Sequence, residues 1–240
     1  MLIDAQELNA DSVIEADVVI AGAGIAGIAL ARQLGGAGLQ VAVLESGGEA
    51  PEMRTQSLYS GRTTLSGPGN DARELDDYMI SSRVRCFGGS GNAWGGKCAP
   101  LDPVDFEARD WIPHSGWPVS RPALQPFYDR ASALLGLPSF GSEPDAMFGT
   151  ADPLLGRRST ALAIRPRCYS TCSGLFPDGS YASYTKSAAD HTRVKVYLHA
   201  NVTNIRTSAT GRHVDALQVT ELDGRKHTAR ARFYILAAGG

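Results

Sequence analysis

The stretch Asp17–Gly48 reads DVVIAGAGIAGIALARQLGGAGLQVAVLESGG, and the order of its residue types decides the fold. Val18, Val19 and Ile20 form a short β-branched run, the pattern of a strand buried on both faces of a parallel sheet. The run stops at Gly22-Ala23-Gly24-Ile25-Ala26-Gly27, a G-x-G-x-x-G. Ile25, Ile28, Ala29 and Leu34 then recur at helical spacing, and Gly35, Gly36 and Gly38 mark where the helix ends. Val41 to Leu44 make a second apolar strand, closed by Glu45. Strand, glycine turn, helix and strand together predict an α/β protein.

Each part of this unit has a physical job. Gly22 permits the tight turn out of the strand. Gly24 removes a side chain so that a pyrophosphate can approach the backbone, and Gly27 lets helix and strand pack closely. A diphosphate then meets free N–H groups at the positive end of the helix. Glu45, about 20 residues further on, is placed to accept hydrogen bonds from an adenosine ribose. An acid there favours a free 2′-hydroxyl, as in FAD or NAD, over the 2′-phosphate of NADP. The competing reading is a βαβ unit whose glycines serve packing alone.

Working outward, 240 residues and 25.4 kDa hold one large domain or one and a half ordinary ones. A net charge of −2 and a pI near 6.2 give no electrostatic case for nucleic acid or an anionic membrane. The acidic start, MLIDAQELNADSVIEA, lacks the basic and apolar regions of a signal peptide. No apolar run approaches the ~20 residues of a membrane helix. A cytoplasmic location is therefore expected. Cys86, Cys98, Cys168 and Cys172 contain no C-x-x-C, so free thiols are the default, and no metal site is expected. Cys168 and Cys172 have no matching His or Cys spacing that would make them a metal pair.

Residues 1–16 read as a solvated lead-in. Residues 49–80 are polar, without a clear period, and read as a long loop or excursion of the kind that covers a site. Gly88, Gly89, Gly91, Gly95 and Gly96 then crowd the run RCFGGSGNAWGGK, Arg85 to Lys97. Such a run suits backbone pressed flat against a ligand, though an ordinary glycine-rich loop looks the same. Further on, Ser120 is a plausible N-cap for a helix whose apolar face is Leu124, Phe127, Tyr128, Ala131 and Leu135, with Gly136 after its end. Pro126 places the start of the regular part at that residue. Residues 137–165 are loop-like. Val194, Val196 and Leu198 alternate as a strand, and Val202 and Ile205 begin another. Residues 214–222 and 225–232 alternate around Asp223-Gly224, a strong hairpin signal. Phe233 to Leu236 form a buried-type strand that runs into Ala237-Ala238-Gly239-Gly240.

Taken together, DVVIAGAGIAGIALARQL…VAVLESG, RCFGGSGNAWGG, LDPVDFEARDWIPHSGWPVSRPALQPFYDRA and VYLHANVTNI…DGR…FYILAAGG resemble the FAD-dependent glucose–methanol–choline oxidoreductase family. The resemblance covers almost the whole chain in the right order and corresponds to the family's N-terminal half. It implies a Rossmann-like FAD-binding domain, a parallel sheet with helices plus an antiparallel β-excursion, incomplete without a C-terminal half. The implied divisions are residues 1–48 (βαβ start), 49–100 (cover loop and flavin-facing glycine loop), 101–190 (helical and loop insertion) and 191–240 (β-excursion and return strand). A C-terminal substrate domain is absent.

The resemblance also assigns roles. Gly22, Gly24, Gly27 and Glu45 fall on the diphosphate and adenosine side of FAD, and Ile25, Ala26, Ser46 and Arg85 join them as cofactor-binding residues. Gly88, Gly89, Ser90, Asn92, Ala93, Trp94 and Gly95 lie along the isoalloxazine, with Ser90 and Asn92 near its polar edge. Val202 contacts adenine through its backbone, and Ala238 and Gly239 return to the diphosphate. Some members link FAD covalently through a His directly before the Trp. Ala93 stands there, so a non-covalent FAD is expected. The family's catalytic His belongs to the C-terminal half, so no base is named in this chain. His191, His199, His213 and His227 are expected to face solvent, and His114 to order its loop.

The implied function is the FAD-binding half of an oxidoreductase that oxidises a CH–OH group of a sugar, polyol or other alcohol by hydride transfer to flavin. Its partners would be a complementary C-terminal polypeptide and the small-molecule substrate. The alternatives are a non-catalytic FAD- or adenine-nucleotide-binding fragment, or another flavoenzyme class such as an amine oxidase or hydroxylase.

Overall fold

Residues 1–61, 63–67, 70–75, 78–93, 97–98, 100–135, 170–171 and 191–239 are described by the computed structural model. They divide into two compact units. One holds residues 1–94 and 181–240, the other residues 95–180.

The first unit is built on a seven-stranded sheet. Its strands are β1 (Leu2–Asp4), β2 (Val13–Ala21), β3 (Val41–Leu44), β8 (Val194–Leu198), β9 (Asn201–Thr207), β10 (Val214–Thr220) and β11 (Lys226–Leu236). The spatial order is β1-β8-β3-β2-β11-β10-β9. The first five run parallel to their neighbours, while β9 and β10 are antiparallel. This is the expected mostly parallel sheet with an antiparallel excursion. Helix α1 (Ile25–Gly36) turns Gly27, Ile28, Ala31 and Gly35 inward. Close approach sets two of those choices. A methyl on Gly27 would run into the Gly22 carbonyl oxygen, and one on Gly35 would stand 2.8 Å from Val194 Cγ2. Two short helices, α2 (Met53–Gln56) and α3 (Tyr78–Ser82), flank a hairpin of β4 (Thr63–Gly67) and β5 (Asn70–Leu75).

Tertiary pairing overrules several sequence expectations. The lead-in is not simply solvated: β1 pairs with β8, β2 begins at Val13, and Ala5 is fully buried. Residues 49–80, expected as loop, carry α2, the β4–β5 hairpin and part of α3. Phe233 to Leu236 are not a separate buried strand. They continue β11, which pairs with β10 through Ala229 and with β2 from Thr228 to Leu236. Phe233 and Leu236 are 53% and 63% exposed, because α1 covers β2, β3 and β8 but not β11. Two of the histidines expected in solvent, His199 and His227, are buried, each drawn inward by carboxylates.

The second unit contains the two-residue strands β6 (Lys97–Cys98) and β7 (Ser170–Thr171), paired antiparallel, and helix α4 (Arg121–Leu135). Ser120 caps α4: its Oγ accepts from the Ala123 N–H at 3.4 Å. Pro126 lies inside the helix instead of starting it. Only one backbone donor is lost there, and the helix forms in spite of it. His114 adopts a left-handed φ of 59° in the WIPHSGW loop. Gly136, residues 137–165, Cys168 and Cys172 lie outside the described residues. No helix among the described residues is long and apolar enough to cross a membrane.

Candidate cofactor-binding site

The carboxyl ends of β2 and β3 open onto a groove of about 750 Å³, where a parallel sheet leaves room for a ligand. Its floor is the glycine turn. Gly22 has φ +102°, and a methyl there would collide with the main chain of Ala237 and Ala238. Gly24 is the opposite case: a methyl on it would meet no protein atom within 4 Å. The space beside Gly24 is part of the groove. Gly24 is also the N-cap of α1 and offers no side chain to its first turn. The first N–H groups of α1, at Ile25 and Ala26, are thus left for something in the groove.

The second glycine run folds onto the first. Gly88 N–H donates to the Ala23 carbonyl at 2.9 Å. Gly88 and Gly89 both have positive φ, 95° and 59°, and a methyl on Gly89 would sit 3.1 Å from Gly24 Cα. Two motifs whose touching residues are 65 positions apart (88 − 23 and 89 − 24) are therefore a single surface. Ser90 lines the groove, and its Oγ accepts from the Val84 N–H at 3.1 Å. Asn92 turns back on its own loop, donating to the carbonyls of Phe87 at 2.9 Å and Gly89 at 3.1 Å. Ala93 is exposed. Trp94 and Gly95 lie outside the described residues.

Glu45 is 5% exposed and lines the groove at the end of β3. One oxygen accepts from Ala23 N–H and the other from Gly47 N–H, each at 2.9 Å. Burial pushes its pKa up, and those N–H groups and the Arg85 charge oppose the rise. Each oxygen keeps a second lone pair for a ribose hydroxyl. Arg85 donates to Ser46 Oγ at 2.7 Å and lies 4.2 Å from the centre of the Tyr59 ring. Its buried Nε has no hydrogen-bond partner. Arg85 is the cation among the described lining residues.

Beyond Glu45 the wall passes to β9 and the β10–β11 turn. Val202 lines this end, next to Asn201 and Thr203, facing Thr220 and Glu221. Ala238 and Gly239 close the floor. Gly27 and Gly88 do not line the groove; they hold its wall in place.

Sequence reasoning missed three groups here. Tyr59 gave no signal inside a polar stretch. Glu221 does not stand out within the alternating residues 214–222, yet it is 3% exposed and accepts from His227 Nε2 at 2.6 Å and Arg225 Nη2 at 3.0 Å. His199, just before the wall residues Ala200 and Asn201, is clasped by Asp4 and Glu52.

The lining residues fit a dinucleotide with a free 2′-hydroxyl: a side-chain-free cradle, an uncapped helix start, one cation and one buried acid at the end of β3. Residues 17–240 match the family described as FAD dependent oxidoreductase. Among solved structures, the chain is similar to pyridoxine 4-oxidase from Mesorbium loti, with 20% identity and a TM-score of 0.56, covering 93% of this chain and 49% of that one. It is also similar to formate oxidase. A structure bearing on FAD modification by an R554K mutation in the Aspergillus oryzae RIB40 enzyme shows 14% identity and a TM-score of 0.51, covering 97% of this chain and 46% of the other. A further formate oxidase structure gives 14% identity and a TM-score of 0.52 over the same shares. This chain thus spans about half the length of these structures. A comparison with curated proteins found no match.

Proposed function

The chain belongs to the FAD dependent oxidoreductase family, and from that premise we propose that it is the FAD-binding half of an enzyme of the glucose–methanol–choline type. In this reading the enzyme oxidises a CH–OH group of a sugar, polyol or other alcohol to a carbonyl. The observation that carries it is the contact between the Gly22–Gly27 turn and the Gly88–Gly89 loop, which gives one groove both a diphosphate cradle and a flat glycine face. Bound FAD supplies a hydride acceptor. The chain's own residues bind and orient it. The first turn of α1 meets the phosphates, Glu45 the adenosine ribose, Arg85 supplies positive charge, and the Gly89–Gly91 backbone lies against the ring.

No histidine lines the groove among the described residues. The base that takes the alcohol proton is assigned to a C-terminal half carried on another chain. The uncovered apolar side chains Phe233 and Leu236 on β11 support such a partner. Ala93, in place of a linking histidine, supports FAD held without a covalent bond. That no histidine among the described residues lines the groove is equally compatible with a second reading, a chain that holds FAD without turnover.

The visible spectrum of purified chain supplied with FAD tests this directly. Bound-flavin bands that leave with the cofactor on denaturation are expected. Colour that stays with the denatured polypeptide overturns the non-covalent assignment, and a chain that takes up no flavin overturns the whole reading. Anaerobic bleaching by alcohols and sugars is expected only when the complementary chain is present. Bleaching that never occurs, with or without it, selects the non-catalytic reading.

A further inference from the structure

His199 occupies a conformation that side chains rarely adopt. It sits between β8 and β9 with φ +54° and is 9% exposed. A left-handed non-glycine residue costs about 1 kcal/mol or more and persists where its surroundings enforce it. Here they do. Nδ1 lies 3.0 Å from both carboxylate oxygens of Asp4 at the end of β1. Nε2 lies 3.2 and 3.3 Å from those of Glu52, the residue that opens α2. Only the doubly protonated ring donates to both acids at once.

The same residue is joined through its main chain to the groove. His199 N–H donates to the Gly47 carbonyl at 2.9 Å, and Ala200 N–H to the Glu45 carbonyl at 2.8 Å. Gly47 N–H in turn fixes the Glu45 carboxylate. Ala200 and Asn201 are wall residues, and Asn201 Nδ2 reaches the His199 carbonyl at 3.5 Å. Gly48 packs against the clasp so closely that a methyl on it would stand 3.0 Å from His199 Nε2. The imidazole therefore ties β1 to the start of α2, and the main chain at His199 and Ala200 ties both to the loop after β3 and the wall at β9.

We propose that His199 is a positioning residue: clasped by Asp4 and Glu52, its charged ring holds the Glu45–Gly48 loop and the Ala200–Asn201 wall in the arrangement that binds the adenosine half of FAD. This rests on the reading of the groove as an FAD site and adds proton-dependent control of its affinity. The charged groups facing the ring are Asp4 from β1 and Glu52 from the start of α2, and Arg225 in the β10–β11 turn acts on Asp4. Burial alone would discharge the ring, but the hydrogen bonds and charges of Asp4 and Glu52 outweigh it, and the net shift is upward from 6.5. With the folded pKa raised, the stabilisation is complete below the unfolded value and is lost as pH rises through the folded one. Loss of one ring proton leaves a nitrogen lone pair against a carboxylate. The loop and wall then separate, and FAD binds less tightly.

Titrating the full chain with FAD, followed by flavin fluorescence between about pH 6 and pH 9, tests this, since FAD itself does not change charge over the His range. Affinity is expected to fall about tenfold across that interval, equivalent to 1.4 kcal/mol. Glu52→Gln, at a half-exposed position, removes one charge and is expected to move the midpoint to lower pH. His199→Gln is expected to bind weakly with a flat profile. A residue that merely fills space would not move a midpoint. Wild-type binding that is independent of pH, or a Glu52→Gln midpoint that stays in place, overturns the clasp while leaving the FAD site standing. Absence of FAD binding at every pH overturns the site and the clasp together.

Discussion

Gly24→Ala is expected to weaken FAD binding by at least ~100-fold (about 2.7 kcal/mol) and to leave the thermal unfolding of the cofactor-free chain unchanged. The backbone at Gly24, φ −77° and ψ −172°, is open to any residue. The added methyl touches no protein atom within 4 Å. It projects into the space that a diphosphate must enter to reach the first N–H groups of α1. Holding that ligand one methyl away lengthens every charge-assisted bond it makes. Gly27→Ala is the contrasting variant. Its methyl is driven into the Gly22 carbonyl, and helix and strand must part, at a cost of about 1–3 kcal/mol or more. Calorimetry and FAD titration on the two variants separate a glycine kept for ligand from a glycine kept for packing. Undiminished FAD affinity in Gly24→Ala removes the diphosphate from this turn.

Glu221→Ala is expected to destabilise the chain by about 3–5 kcal/mol in urea unfolding. His227 is 1% exposed, and its Nδ1 already lacks a partner, so the Glu221 carboxylate supplies its ring with the one hydrogen bond it makes. Without Glu221 both ring nitrogens face an apolar interior near Leu217, Val219 and Ala229. Replacing both residues, as Glu221→Leu with His227→Leu, recovers most of the loss, because no polar atom is then stranded. Asp223→Ala, at the exposed turn, should change stability little, since its pair with Arg225 is in solvent. Equal losses at Glu221 and Asp223 would mean that Arg225, common to both pairs, is what holds the turn.

The sheet's parallel half was legible because its signals are local. β-branched runs at Val18–Ile20 and Val41–Leu44, with glycines between them, leave little else to form. Asp223-Gly224 named the hairpin for the same reason. What stayed hidden depends on partners distant in sequence. β1 is three residues with no period of its own, and it exists because β8 offers it an edge. The burial of His199 follows from Asp4 and Glu52, which its own neighbourhood does not announce, whereas His227 meets Glu221 across the named hairpin but at a register and depth that only the folded sheet sets. Pro126 lies inside α4, so the helix forms there in spite of a strong local penalty. In the groove, glycine spacing located Gly24 and Gly89 separately. Their proximity, and the arrival of Tyr59 under Arg85, needed the folded chain.

One feature of the sheet reaches beyond the finished structure. β11 lies between β2 and β10, although more than 200 residues of sequence separate its parallel register from that of β2. The bend at Gly22 leans on Ala237, and Ala237 N–H is held by the Ala21 carbonyl at 2.8 Å. During synthesis, therefore, the glycine turn near the amino terminus stays without its backing until residue 237 has emerged. Closing so long a loop makes this a slow, late event, and the chain meets its cofactor only after translation has passed that point.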